Sequence, residues 1–257
     1  NDVFTGYNFN KNQGHAAIGH VRNATHDAAV FNNVQPFVFH TLNGSTAIAH
    51  NGKIVNADSI RKDLEASGSI LQTTSDTEVL AHLMRKNSQK TTEEAIIESL
   101  RKLVGAYAFV ILTEDKLYVA LDPRGIRPLS LGRLGDAYVV ASETCAFSII
   151  GATFEREVLP GELLTISDEG LKSTRFLLRE PRSLCAMEYV YFSRPDSDLN
   201  DVNVHTSRKR MGIELAKEHP VYNADVVTGV PDSSISAAIG YAEQCGLPYE
   251  MGVLKNR

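Results

Sequence analysis

Three short stretches carry side chains suited to one piece of chemistry. Gly19-His20-Val21-Arg22-Asn23-Ala24-Thr25 places a guanidinium in a strand-like run, Ala49-His50-Asn51-Gly52 reads as a turn, and Thr74-Ser75-Asp76-Thr77-Glu78 opens a helix. Hydrolysis of the side-chain amide of a free amino acid needs such a set. An arginine takes an α-carboxylate in a bidentate, charge-assisted pair, and an aspartate takes an α-ammonium. A side-chain amide beside a glycine N–H offers two donors where the oxyanion of a tetrahedral intermediate forms. Arg22, Asp76 and the Asn51–Gly52 pair have the chemistry for these roles, and the Thr25 hydroxyl adds a donor near the carboxylate. Each also has a plain reading. Asn-Gly is a common hairpin turn, Ser75 or Asp76 is a common helix N-cap, and an arginine at a strand end is commonly solvated. Spacing alone does not bring the three stretches together, so at this level the function stays open.

The elements that must position them follow from hydrophobic periodicity. Ala16 to Val21, Pro36 to Phe39 and Thr46 to Ala49 read as short strands. Asp58 to Ala66 and Asp76 to Arg85 read as helices, with Ile60 and Leu64 on one face of the first and Val79, Leu80, Leu83 and Met84 on the second. Thr91-Thr92-Glu93-Glu94 is a capping box for a third helix, whose stripe runs from Ile96 to Leu103 and Val104 before Gly105 stops it. From Tyr107 to Leu178 the period is that of strands, with a hairpin at Thr113-Glu114-Asp115-Lys116. Strands, helices and strands again predict helical layers over antiparallel sheets in residues 1–179. After the charged stretch Arg179-Glu180-Pro181-Arg182 the pattern changes. Asp225 to Val230 and Tyr249 to Leu254 read as strands around a helix from Ile235 to Gln244, a β-α-β unit that opens a second domain at 180–257.

Composition narrows the function classes. The 257 residues can bury one large core or two smaller ones, and 43% hydrophobic with 22% charged residues is ordinary for a globular chain. A net charge of -5 gives no reason to expect nucleic acid as a partner. No apolar run reaches the roughly 20 residues of a membrane span, and no signal-peptide pattern is present, so a cytoplasmic location is expected. Cys145, Cys185 and Cys245 are far apart and odd in number, which argues against a disulfide framework and against a metal site closed by these three alone. A start at Asn1 and an end at Arg257, directly after an apolar strand-like run, read as a piece of a longer chain.

Gly-His-Val-Arg-x-Ala-Thr, His-Asn-Gly and Ser-Asp-Thr-Glu-Val-Leu, in this order, resemble the class II glutamine amidotransferase domain, an N-terminal-nucleophile hydrolase. Longer stretches narrow the resemblance: Gly105-Ala106-Tyr107-Ala108-Phe109, Leu121 to Leu129, Ala141 to Phe147, Glu188 to Ser197, and the closing Leu254-Lys255-Asn256-Arg257. They are similar to the amidophosphoribosyltransferase family, in its Bacillus-type branch, almost end to end. Glucosamine-6-phosphate synthases share the Arg-x-Ala-Thr and Asp-Thr-Glu signals but have no equivalent of Tyr191 to Ser197.

The resemblance implies an α+β N-terminal-nucleophile hydrolase with αββα layers, followed by the start of an α/β type I phosphoribosyltransferase domain. It implies formation of phosphoribosylamine from glutamine and phosphoribosyl pyrophosphate, at the entry to purine synthesis. Arg22, Thr25 and Asp76 would bind glutamine, and Asn51 with Gly52 would form the oxyanion hole. The family nucleophile is an N-terminal Cys, which is absent from this sequence, so the segment by itself is expected to be inactive. Lys53 after His-Asn-Gly stands where Asn is usual in the family, and Asn23 where an aromatic is common. Ser233, in Val230-Pro231-Asp232-Ser233-Ser234, matches a magnesium-associated position, with Asp232 or Ser233 as a plain N-cap the alternative. Lys255 and Arg257 match nucleotide- or phosphate-contacting positions. Cys185 matches a ligand of a four-iron, four-sulfur cluster, against the alternative of a buried free thiol. Purine nucleotides as feedback ligands and a homotetramer are further implications of the resemblance.

Overall fold

The structure, a computed structural model, describes residues 14–22, 31–41, 44–178 and 180–256. In chain order, the first elements are β1 (Phe37–Thr41), β2 (Gly44–Ile54), α1 (Ala57–Ala66), α2 (Glu78–Lys86), α3 (Thr92–Leu100), β3 (Gly105–Leu112) and β4 (Leu117–Leu121). There follow β5 (Ser130–Leu134), β6 (Ala137–Ala141), α4 (Cys145–Ile150), β7 (Thr153–Glu157), β8 (Glu162–Ser167) and β9 (Gly170–Arg175). The last are β10 (Asp198–Leu199), β11 (Val202–Asn203), α5 (Val204–Glu218) and α6 (Ile235–Cys245). The described residues make two compact units, one from those up to 120 with 162–177 and the other from 121–161 with those from 178 onward. No helix among the described residues is long and apolar enough to cross a membrane.

In the first unit a six-stranded sheet runs β1-β2-β3-β4-β8-β9. Its apolar residues Ile48, Tyr107, Phe109, Ile111, Tyr118 and Leu163 form one core with Ile60 and Leu64 of α1, Val79, Leu80 and Leu83 of α2, and Ile96 and Leu100 of α3. Each such side chain, fully buried, contributes on the order of 1.5–3 kcal/mol. The capping box is present: Thr91 Oγ1 accepts the Glu94 N–H at 3.3 Å, and the Thr91 N–H reaches the Glu94 carboxylate at 3.0 Å. Three expectations change here. α3 ends at Leu100, so Leu103 and Val104 fall outside it. Val104 is exposed, and Gly105 opens β3 rather than closing the helix. Ala16 to Val21 has no regular structure, because no neighbouring strand pairs with it among the described residues. Asn51 and Gly52 are not a turn. They lie inside the 11-residue β2, opposite Ala108 and Tyr107 of β3.

In the second unit β6-β5-β7 form a three-stranded sheet. Polar side chains fasten the stretch around residues 188–198, which opens with a π-helical turn, Glu188–Phe192. Glu188 accepts from Arg127 Nη1 at 2.8 Å and from Ser193 Oγ at 2.9 Å, and Glu143 accepts from the Arg194 N–H at 2.7 Å and Ser197 Oγ at 2.8 Å. α5 and α6 pack closely, since a Cβ at Gly212 or Gly240 would overlap the Ala237 or Lys209 carbonyl oxygen. α6 ends where expected, with Gly246 in the left-handed conformation at φ 68°. The two flanking strands do not form as such. Their parallel pairing is reduced to one bridge, Val227 with Tyr249, held by Val227 N–H to Pro248 O and Glu250 N–H to Val227 O, both 2.9 Å.

Glu93, in the first turn of α3, ties that helix to two strands by accepting from Lys172 Nζ at 2.9 Å, Thr174 Oγ1 at 3.2 Å and Thr165 Oγ1 at 3.3 Å. Burial raises its carboxyl, but the hydrogen bond and charge of Lys172 and the bonds from Thr174 and Thr165 outweigh this and hold it below the ordinary range. A carboxylate lowered in the folded state stabilises above its unfolded pKa, and that stability is lost as pH falls through the folded value. Glu93→Gln is therefore expected to flatten the acid side of the stability–pH curve. It should cost under about 1 kcal/mol near neutrality, the pair being solvent-screened. Urea midpoints measured between about pH 7 and pH 3 check this.

Candidate functional site

The entry to α2 and the end of β2 meet at Asp76. Its side chain is nine-tenths buried, and Oδ2 accepts the backbone N–H of Ile54 at 2.8 Å. A buried carboxylate needs such donors, because an unpaired one loses its solvation without replacement. Lys53 Nζ stands 4.0 Å from the same oxygen, and His50 Nδ1 stands 3.8 Å from Oδ1. The His50 ring is itself held, stacked on Phe109 with centroids 4.4 Å apart and 3.0 Å from Thr77 Oγ1. Asp76 is thus no simple helix cap. α2 begins at Glu78, its capping position is Thr77, and no side chain caps it.

Asn51 and Gly52 lie on the stretch of β2 whose neighbours His50, Lys53 and Ile54 all face Asp76. Gly52 has φ +147°, a conformation that favours glycine, and a Cβ there would overlap the Ala106 carbonyl oxygen and come within 2.9 Å of His50 Nε2. Only the glycine leaves the strand backbone open at this point. Asn51 and Gly52 thus lie on β2 between residues whose side chains or amides reach Asp76. Arg22 sits half-buried in an irregular stretch, close to His20, whose pKa is lowered first by burial and then by the Arg22 charge. Thr25 and Arg257 lie outside the described residues.

Residues not singled out from the sequence set the loop that delivers Asp76. Buried Glu78 accepts the N–H groups of Gln72 and Thr73 at 2.8 and 2.9 Å and the Thr73 hydroxyl at 2.8 Å. Arg61 donates to the Thr73 and Ser75 carbonyls at 2.9 and 3.0 Å, and Asn33 donates to Thr74 Oγ1 at 2.8 Å. The one available signal was Glu78 itself, an acid at the opening of a helix with an apolar stripe behind it. Arg61 and Asn33 carried none, since their partners are distant in sequence.

The remaining expected positions lie in the second unit. Ser233 is half-buried in a turn before α6. Asp232 caps nothing there and instead pairs with Lys255 at 3.2 Å, so the plain N-cap reading of Asp232 or Ser233 does not hold. Cys185 is half-buried, its N–H donated to the Ile126 carbonyl at 3.0 Å. The chain has three cysteines, and among the described residues no three His, Cys, Asp or Glu side chains converge on a common point. Four thiolates for an iron–sulfur cluster cannot be assembled from them, nor a carboxylate set for magnesium, so neither group fits the residues present without further ligands.

Comparison with known proteins bears on this geometry. A family described as a glutamine amidotransferase domain matches residues 20–148. Amidophosphoribosyltransferase of Bacillus subtilis (strain 168) is 58% identical over all 257 residues, which cover 54% of it, and that of Staphylococcus aureus (strain Mu50) is 50% identical over 242 residues, 94% of this chain and 49% of that protein. The solved structure of the B. subtilis glutamine phosphoribosylpyrophosphate amidotransferase, complexed with ADP and GMP, superposes with a TM-score of 0.93 at 58% identity, over 100% of this chain and 55% of that one. The chain spans about half the length of the curated relatives it matches. The fold of the matched domain is that of the N-terminal-nucleophile hydrolases, as the resemblance implied.

Glu78→Gln replaces one acceptor oxygen by an amide N–H facing the Gln72–Thr73 donors. It is expected to destabilise the protein by about 1–3 kcal/mol, measured by urea denaturation.

Proposed function

The chain belongs to the glutamine amidotransferase domain family, and we propose that it carries the glutamine-binding part of an amidophosphoribosyltransferase together with the opening of its phosphoribosyl-transferring part. The functional division runs at 179/180. The observation that carries this reading is the Asp76 carboxylate, buried beside the Asn51–Gly52 stretch of β2 and bonded to the Ile54 N–H. It offers a fixed negative charge for an α-ammonium next to two donors for a carbonyl oxygen.

In this reading the Arg22 guanidinium and the Thr25 hydroxyl take the glutamine α-carboxylate, and Asp76 takes the α-ammonium. The side-chain amide then lies at Asn51 and Gly52, whose N–H groups bond its oxygen more strongly as it becomes an oxyanion. The attacking group is the family's N-terminal Cys thiolate, outside this sequence, with its own α-amine moving the proton. Ammonia so released attacks C1 of phosphoribosyl pyrophosphate and displaces pyrophosphate, giving phosphoribosylamine for purine synthesis. Lys255 and Arg257 are assigned to nucleotide or phosphate contacts. A B. subtilis relative complexed with ADP and GMP supports nucleotides as ligands. Magnesium at Ser233 and a four-iron, four-sulfur cluster at Cys185 would both need ligands beyond the residues described. A homotetramer in the cytoplasm completes the proposal.

The test is steady-state glutaminase kinetics on the complete gene product. Arg22→Ala and Asp76→Ala are each expected to raise the glutamine KM by the loss of a charge pair, about 2–5 kcal/mol. Unchanged KM in both variants would remove these residues from the glutamine site.

A further inference from the structure

Asp76 already has a cation beside it. Lys53 follows Gly52 on β2, its side chain is half exposed, and its Nζ lies 4.0 Å from Asp76 Oδ2. That oxygen also accepts the Ile54 N–H at 2.8 Å, and the other faces His50 Nδ1 at 3.8 Å. An α-ammonium arriving at this carboxylate therefore meets an ammonium in residence. Two such charges around one carboxylate repel each other, and the lysine stem is long and flexible enough to swing into solvent. We propose that Lys53 is an affinity- and specificity-determining residue of the glutamine site, a built-in competitor for the carboxylate that receives the substrate's α-ammonium. This rests on the assignment of Asp76 above.

The consequence runs against the usual direction of a site mutation, since removing a charged residue tightens binding. In the complete gene product, Lys53→Gln is expected to lower the KM for L-glutamine about two- to fivefold at low ionic strength, the range of a partly exposed ion pair. The gap should close as salt is raised towards about 1 M, where the Debye length is about 3 Å. Lys53→Arg, which retains the charge, should keep the wild-type KM. Glutaramate, which is glutamine without its α-amine, gains nothing from Asp76 and should show no fall in KM with Lys53→Gln. A glutamine KM that is unchanged or higher in Lys53→Gln overturns the proposal, as does a fall of equal size with glutaramate. Asp76→Ala is measured in the same series. If it raises the glutamine KM while Lys53→Gln does not lower it, only the role of Lys53 falls. If Asp76→Ala leaves the KM unchanged, the assignment of Asp76 falls and takes this inference with it.

Discussion

The bond from the Ile54 N–H to Asp76 Oδ2, 2.8 Å long, joins two parts of the chain that have no local reason to meet. A carboxylate this buried is tolerable only if donors replace its lost hydration. β2 supplies the N–H because Ile54 is a position whose amide points away from β3, and β1 pairs with β2 only as far as Ile48, which leaves that edge to the Asp76 side chain. The loop before α2 delivers the carboxylate because its own polar groups are satisfied elsewhere. Glu78 takes its N–H groups, Arg61 binds two of its carbonyls, and Asn33 bonds Thr74. Loss of any of these would leave a partly buried polar group without a partner and allow Asp76 to shift.

β2 carries the other half of the site for a reason of backbone shape. At Gly52 the strand leaves ordinary extended geometry without leaving the sheet, and the absence of a Cβ lets Ala106 O and the His50 ring approach. The helices behind it, α1 to α3, bury their apolar stripes against the same sheet, so this stretch of β2 is backed by the core of the first unit.

The second unit uses a different means. Around residues 188–198 a π-helical turn, Glu188–Phe192, is followed by irregular backbone, and Glu143, Glu188 and Arg208 hold the stretch by bonds to backbone and hydroxyl groups. Arg208 is almost fully buried, and burial lowers its pKa. Removing one partner from such a set costs more than the pair contributes, because the remaining group stays buried.

The three helices of the first unit, the capping box at Thr91, the hairpin at Thr113 to Lys116 and the stop at Gly246 were all legible in the sequence. Each rests on residues within a few positions of one another, so periodicity and turn chemistry suffice. The sequence also offered Arg22, Asp76 and Asn51–Gly52 as residues with the chemistry for one ligand, without bringing them together in space. Only the tertiary structure decided that Asn51 and Gly52 lie in mid-strand and not in a turn, because an Asn-Gly pair signals a turn unless a partner strand claims it, and β3 lies more than 50 residues away. The same holds for Ala16 to Val21, apolar enough for a strand but unpaired among the described residues, and for the single bridge at Val227 and Tyr249. Strand formation depends on a neighbour's backbone, and so did the bond that fixes Asp76; neither partner is written next to the residue that needs it.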